Sequence, residues 1–158
     1  MQRTGQANQA AGTAAGTDAS RLVLRHSDRV ERRGVMAALD AAQCLIWFDA
    51  QGRLVDANEN TQSMLAMPLQ DLGMMDYGSL VGDPEAHAHH TRKRWGRIRD
   101  GLLRSEERGL FAADGSEIWC SLTYAAIRSE KGGTRRVLAI AIDMTPWSWR
   151  NEGPARAR

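Results

Sequence analysis

Residues 106–145, EERGLFAADGSEIWCSLTYAAIRSEKGGTRRVLAIAIDMT, constrain the fold more than any other stretch. Two turn signals divide it. Asp114-Gly115 readily takes the positive φ of a tight hairpin, and 129–134 is a polar run with Gly132-Gly133 at its centre. Between them Ile118, Cys120, Leu122 and Tyr124 alternate with Trp119, Ser121, Thr123 and Ala125. A period of two marks a strand with unlike faces. The stretch therefore predicts three consecutive antiparallel strands. The last, 137–142, is apolar on both faces, as in a central strand covered on both sides. The outer cover is expected to be an N-terminal helix or a second subunit.

At 158 residues the chain suffices for one domain with a real core plus tails. Its net charge of +2 gives no argument for nucleic acid. Cys44 and Cys120 each fall inside a predicted strand and lack metal-site spacing, which fits a reducing compartment. No apolar run approaches the ~18 residues of a membrane span, and residues 1–20 lack the apolar core of a signal peptide. The expected location is cytoplasmic, with any membrane link made through a partner.

Residues 1–27 read as an N-terminal tail, disordered over 1–20, where Ala, Gly, Gln and Thr dominate. A helix is expected over 28–42. Asp28 and Glu31 fit a cap followed by an acid, and Val35, Met36, Leu39 and Ala42 share one face. Gly34 weakens it by ~1 kcal/mol. Residues 44–49 and 53–58 form a predicted hairpin around Gln51-Gly52. Asn58 or Asn60 then caps a short helix carrying Met64, Leu65 and Met67. Pro68 starts another turn, with Leu69 and Leu72 inward and Gly73 as its stop. Asp83-Pro84-Glu85 signals a longer helix running to about Arg104, with Trp95, Ile98 and Leu102 packed on the sheet. Residues 146–158 form a C-terminal tail with Trp147 and Trp149, expected to pack on the protein's own surface or on a partner.

This order resembles a PAS domain: an α+β fold with a five-stranded antiparallel sheet, short helices over one face and an N-terminal amphipathic helix. The pieces that carry the resemblance are FDAQGRLVDANEN (48–60), Leu72-Gly73, WGRIRDG (95–101), ADGSEIWCSLTYAAI (113–127) and VLAIAIDMT (137–145). They are most similar to the PAS modules of bacterial chemoreceptors and aerotaxis transducers. Tyr124-Ala125-Ala126 stands where that family often has Tyr-Asn-Pro, which removes a ligand contact the Asn would supply. The resemblance covers about 36–145, with the domain placed at 43–145. It implies a sensory or adaptor module that works by binding, not by chemistry. Three partner classes follow from it: a second copy in a homodimer, a chemoreceptor or a histidine kinase. No effector domain lies within the chain, so a free-standing module is expected.

No phosphate-cradling glycine loop, nucleophile elbow or zinc-protease motif occurs, and no enzyme is expected. His87, His89 and His90 are the sharpest chemical feature. His87 and His90 share a face at i, i+3. Haem-binding PAS sensors take an axial histidine on or near this helix, and His90 precedes Gly101 at a spacing similar to that of rhizobial oxygen-sensor kinases. The resemblance thus implies a haem-based gas or redox sensor as one alternative. The plain reading of the three histidines is a solvated first turn. Zinc lacks a completing Cys or His pair. A flavin such as FAD is another cofactor of the family, with Trp95 as a candidate wall of its pocket, although a core tryptophan is the commoner explanation. Having no cofactor is the favoured expectation. The basic run Arg92-Lys93-Arg94, Arg97, Arg99 is interleaved with Trp95 and Ile98 at helical period, which describes a charged outer face and not a nucleic-acid surface. The remaining alternative is an interaction module that binds a protein and no ligand.

Overall fold

The computed structural model describes residues 16–83 and 88–145. The chain divides into two units between Ala38 and Leu39. The first helix, α1, runs Gly16–Ala42. It therefore starts well before Asp28, and 16–27 are helical where a tail was expected. The sequence explains this: no Gly or Pro occurs from Thr17 to Arg33, so nothing forces a start at Asp28, and one interior Gly34 is too small a penalty to break the helix. Val30, Val35 and Met36 are exposed. Residues 1–15, 84–87 and 146–158, including the Pro84-Glu85 helix start and both C-terminal tryptophans, lie outside the described residues.

In the second unit β1 (Cys44–Asp49) and β2 (Leu54–Ala57) form the first hairpin. Asp49 shapes its turn. One carboxylate oxygen accepts the Gln51 and Arg53 amides, both at 2.9 Å, while the other pairs with the Arg53 guanidinium. These bonds draw the Asp49 carboxyl below its usual range despite the opposing cost of burial. Gly52 has φ +87°, open to glycine at no steric cost.

Three short helices follow. α2 (Glu59–Leu65) is capped by Asn58, whose Oδ1 accepts the Thr61 amide, the Thr61 hydroxyl and the Leu45 amide. α3 (Leu69–Leu72) is a single turn that buries Leu72 and leaves Leu69 exposed, against the expectation that both point inward; one turn sinks one side chain. α4 (Tyr77–Leu80) was not foreseen as a distinct element. Its signal is Asp76, whose Oδ1 accepts the Ser79 amide at 2.7 Å and the Ser79 hydroxyl at 2.9 Å.

The long helix, α5 (Ala88–Arg99), buries Thr91, Trp95 and Ile98. It stops at Arg99, not near Arg104. Gly101 takes φ +77°, its amide bonds the Ile98 carbonyl, and the Leu102 amide bonds the Arg97 carbonyl. That pair is the left-handed C-terminal closure that glycine permits. Leu102 is consequently exposed, contrary to its expected place on the sheet.

β3 (Ser105–Phe111), β4 (Glu117–Arg128) and β5 (Thr134–Asp143) complete an antiparallel sheet in the order β2-β1-β5-β4-β3. β5 is central, as its two apolar faces require. The expected turns are present, with Gly115 at φ +81° and Gly132 at +87°. Val137, Ala139 and Ala141 face the core with Ile46, Phe48, Leu122 and Tyr124. The two alanines of β5 leave room for a cluster of large rings: Phe48–Trp95 at 5.3 Å, Tyr77–Trp95 at 5.5 Å and Tyr77–Tyr124 at 6.4 Å between centroids. Each such ring, once buried, contributes about 1.5–3 kcal/mol by leaving water.

Candidate functional site

Two regions of the second unit carry polar chemistry. The first is inside the core. β3 alternates, so Glu106 and Arg108 share the inward parity of Leu110. The Glu106 carboxylate is nearly buried. Its Oε1 accepts the Tyr77 and Tyr124 hydroxyls, each at 2.7 Å, and its Oε2 pairs with the Arg94 guanidinium of α5. The chain's only two tyrosines thus converge on one acid. Burial, reinforced by this carboxylate, pushes both phenols well above their ordinary range. A second link joins the same elements: Asp83 accepts the Arg108 guanidinium at 2.9 Å and the Thr91 hydroxyl of α5. No sequence motif announced this network. The usable signal was an acid in a strand at the parity of a buried leucine.

The core itself is closed. The space enclosed by Phe48, Tyr77, Leu80, Leu122 and Tyr124 measures about 10 Å³, barely that of one water. The Cys120 thiol is buried elsewhere in the core and pushed up to about 12 by burial, then by Asp143 and Cys44.

The second region is a cleft of about 700 Å³ outside the core. Its walls are the β1–β2 turn (Ala50, Gln51, Gly52), α4 with its cap (Asp76, Gly78, Ser79), and one face of α5. That face carries Ala88, Thr91, Arg92, Trp95, Gly96 and Arg99. Trp95 separates cleft from core. Its indole N–H donates to the Ala50 carbonyl at 3.1 Å, and a Cβ on Gly52 would meet the indole ring at 3.1 Å.

Of the four site residues suggested by the sequence, Trp95 is buried and lines this cleft. His89 and His90 are exposed, with rings 6.0 Å apart, and line neither the cleft nor the core. His87 lies outside the described residues. An enclosed space of about 10 Å³ admits neither haem nor flavin, and neither described histidine is placed to hold iron over the core. Among the described residues no group of three or more His, Cys, Asp and Glu could hold a metal ion, and no helix is long and apolar enough to cross a membrane.

A closed aromatic core under short helices, backed by a five-stranded antiparallel sheet in the order 2-1-5-4-3, defines the class. The chain belongs to the PAS family: the model described as PAS fold matches residues 39–146. The biofilm dispersion protein BdlA of Pseudomonas aeruginosa is 28% identical over 109 residues, 69% of this chain. The chain spans 26% of that relative's length. A PAS domain from Colwellia psychrerythraea superposes with a TM-score of 0.61 at 19% identity, covering 74% of this chain and 98% of that one. A domain of a sensory box histidine kinase/response regulator from Geobacter sulfurreducens gives 0.58 at 23% identity, covering 71% and 94%. The chain is a PAS sensory domain related to signal-transduction proteins.

Proposed function

We propose that this chain is a sensory module that binds a small ligand on its helical side and signals through protein contacts on its sheet, with a homodimer as the first such contact. It works by binding and carries out no chemistry. The observation that carries this reading is the asymmetry of the sheet. The inner face is sealed under aromatic rings, while the outer face is apolar and partly open. Trp119, Ile127 and Ile142 are exposed there, beside Leu138 and Ile140. Ile142 is 53% exposed at the end of the central strand, and an apolar surface of that kind marks a contact site. A chemoreceptor or a histidine kinase fits as the downstream partner. The relative named for biofilm dispersion and the kinase-derived structural neighbour support signalling as the setting.

The second reading, a protein-interaction module without a ligand, is favoured by the closed core alone. Light scattering across a concentration series tests the contact. The expected outcome is a dimer that Ile142→Asp converts to monomer with unchanged far-UV circular dichroism. A chain that stays monomeric at every concentration, or a dimer indifferent to Ile142→Asp, refutes the assigned surface.

A further inference from the structure

The core has no room for a ligand, but the cleft between the β1–β2 turn, α4 and α5 does. Its volume of about 700 Å³ falls in the range of small-molecule sites, roughly 300–1,000 Å³. The charges in it are arranged unevenly. Asp83 is matched by Arg108 of β3, and Arg99 by Asp100 at 3.0 Å. Two opposite charges remain. Arg92 has no hydrogen-bond or ion-pair partner among the described residues. Asp76 uses Oδ1 to cap α4, and no bond is made to its Oδ2. Both line the cleft, one from α5 and one from the α4 wall, yet they form no salt bridge with each other. A guanidinium and a carboxylate that face one hollow without meeting leave a gap that one molecule with both charges can span.

Gly96 adds an independent argument. A glycine inside a helix costs about 1 kcal/mol relative to alanine. A Cβ there would meet nothing within 4 Å, so the packing of the protein does not need this glycine. What it keeps open is the cleft floor, one residue from the Trp95 indole and one helical turn from Arg92. Gly52 and Gly78 also line the cleft, but there a Cβ would crowd Trp95 or Thr91, so packing accounts for those two glycines.

We infer that this cleft binds a small zwitterion of the amino-acid class, its carboxylate on Arg92, its ammonium on Asp76, and its apolar part over Gly96 against Trp95. Guanidinium and carboxylate form charge-assisted hydrogen bonds with such a ligand at both ends. A plain anion satisfies Arg92 and is repelled by Asp76, and a plain cation meets the reverse. The inference names the ligand of the sensor reading and rests on it.

The test is an amide-resolved NMR titration of the full chain with alanine and with phenylalanine. The half-ligands 3-phenylpropionate, which lacks the ammonium, and phenethylamine, which lacks the carboxylate, serve as controls. Expected are saturable shifts at the Gly52, Gly78 and Gly96 amides and at the Trp95 indole N–H. Each half-ligand should bind about tenfold weaker or worse, the equivalent of one such bond. Arg92→Gln should weaken phenylalanine and, by removing a like charge, tighten phenethylamine. Asp76→Asn, which still caps α4, should weaken phenylalanine and tighten 3-phenylpropionate. Gly96→Leu should abolish the shifts while raising thermal stability. Failure of both amino acids to shift these four groups, or a Gly96→Leu variant that binds as well as the parent, overturns the inference. A dimer that loses its contact in Ile142→Asp but shows no cleft shifts would refute the cleft alone. A monomer that binds phenylalanine would refute the sheet contact alone.

Discussion

Glu106→Ala is expected to destabilise the protein by about 4 kcal/mol, and the structure shows where that figure arises. The carboxylate side chain is 8% exposed, and the two tyrosines it bonds are 3% and 6% exposed. Neither hydroxyl has water at hand when the acceptor goes. A buried donor left unsatisfied costs about 1–3 kcal/mol, so the pair costs about 2–6. Arg94 is 41% exposed and is rehydrated in the variant, so its lost pairing adds no more than about 1 kcal/mol. Against a domain stability of about 5–15 kcal/mol this is a large fraction. Urea denaturation followed by tryptophan fluorescence reads it. With a slope of about 2 kcal/mol per molar, the midpoint should fall by about 2 M at unchanged slope. Rescue separates this account from a general packing defect. Adding Tyr77→Phe and Tyr124→Phe to Glu106→Ala removes the orphaned hydroxyls and should return about half of the loss, because deleting both partners of a buried bond costs little. A loss under about 1 kcal/mol, or a triple variant no more stable than Glu106→Ala, refutes the reasoning.

Asn58→Ala should cost more than the ~1 kcal/mol of an ordinary helix cap, because Nδ2 also donates to the Asp40 and Gln43 carbonyls at 2.9 and 2.8 Å. The expected loss is about 2–3 kcal/mol, with faster amide exchange at Leu45 and Thr61; a loss of cap size alone would contradict the hub. At alkaline pH the folded chain holds protons that the unfolded chain releases, since Cys120 is raised from 9.0 to about 12 and both phenols are raised as well. Their contribution is complete below the unfolded values and is lost as pH rises through the folded ones. Urea midpoints should therefore decline from about pH 9 upward, and a midpoint that stays flat there contradicts the burial of these groups.

The sheet was legible because its signals are strictly periodic. Alternation along 118–125, Asp114-Gly115, Gly132-Gly133 and a strand apolar on both faces sufficed to place β3, β4 and β5 and to put β5 in the middle. The helical layer was less legible because its elements are too short for periodicity. α4 is one turn set by a single side chain, Asp76, and α5 ends where Gly101 turns left-handed, not where apolar residues stop. The polar site escaped notice for a related reason. Glu106 stands among Glu107 and Arg108, and a charged run suggests solvent even when alternate members face a core. The two described histidines lie as a solvated first turn would place them. Residue type suggests iron, yet the spacing that turns Thr91, Trp95 and Ile98 inward leaves His89 and His90 on the exposed side of the helix.

Trp95 is the residue through which cleft and sheet can be coupled. One side of its indole lines the cleft, its N–H holds the Ala50 carbonyl at the end of β1, and its ring packs on Phe48 within that strand. Phe48 pairs with Val137 of β5, whose next residue, Leu138, belongs to the outer face. Arg94 provides a parallel path from α5 through Glu106 to the opposite edge of the sheet. A displacement of α5 cannot leave the sheet untouched, because the helix is pinned to β1 by an aromatic contact and to β3 by an ion pair. A ligand can bias such an arrangement only by its difference in affinity between two packings. A single bidentate contact at Arg92, formed in one packing and stretched in the other, supplies a difference of about 1–3 kcal/mol, the ordinary scale of coupling between two sites on one domain.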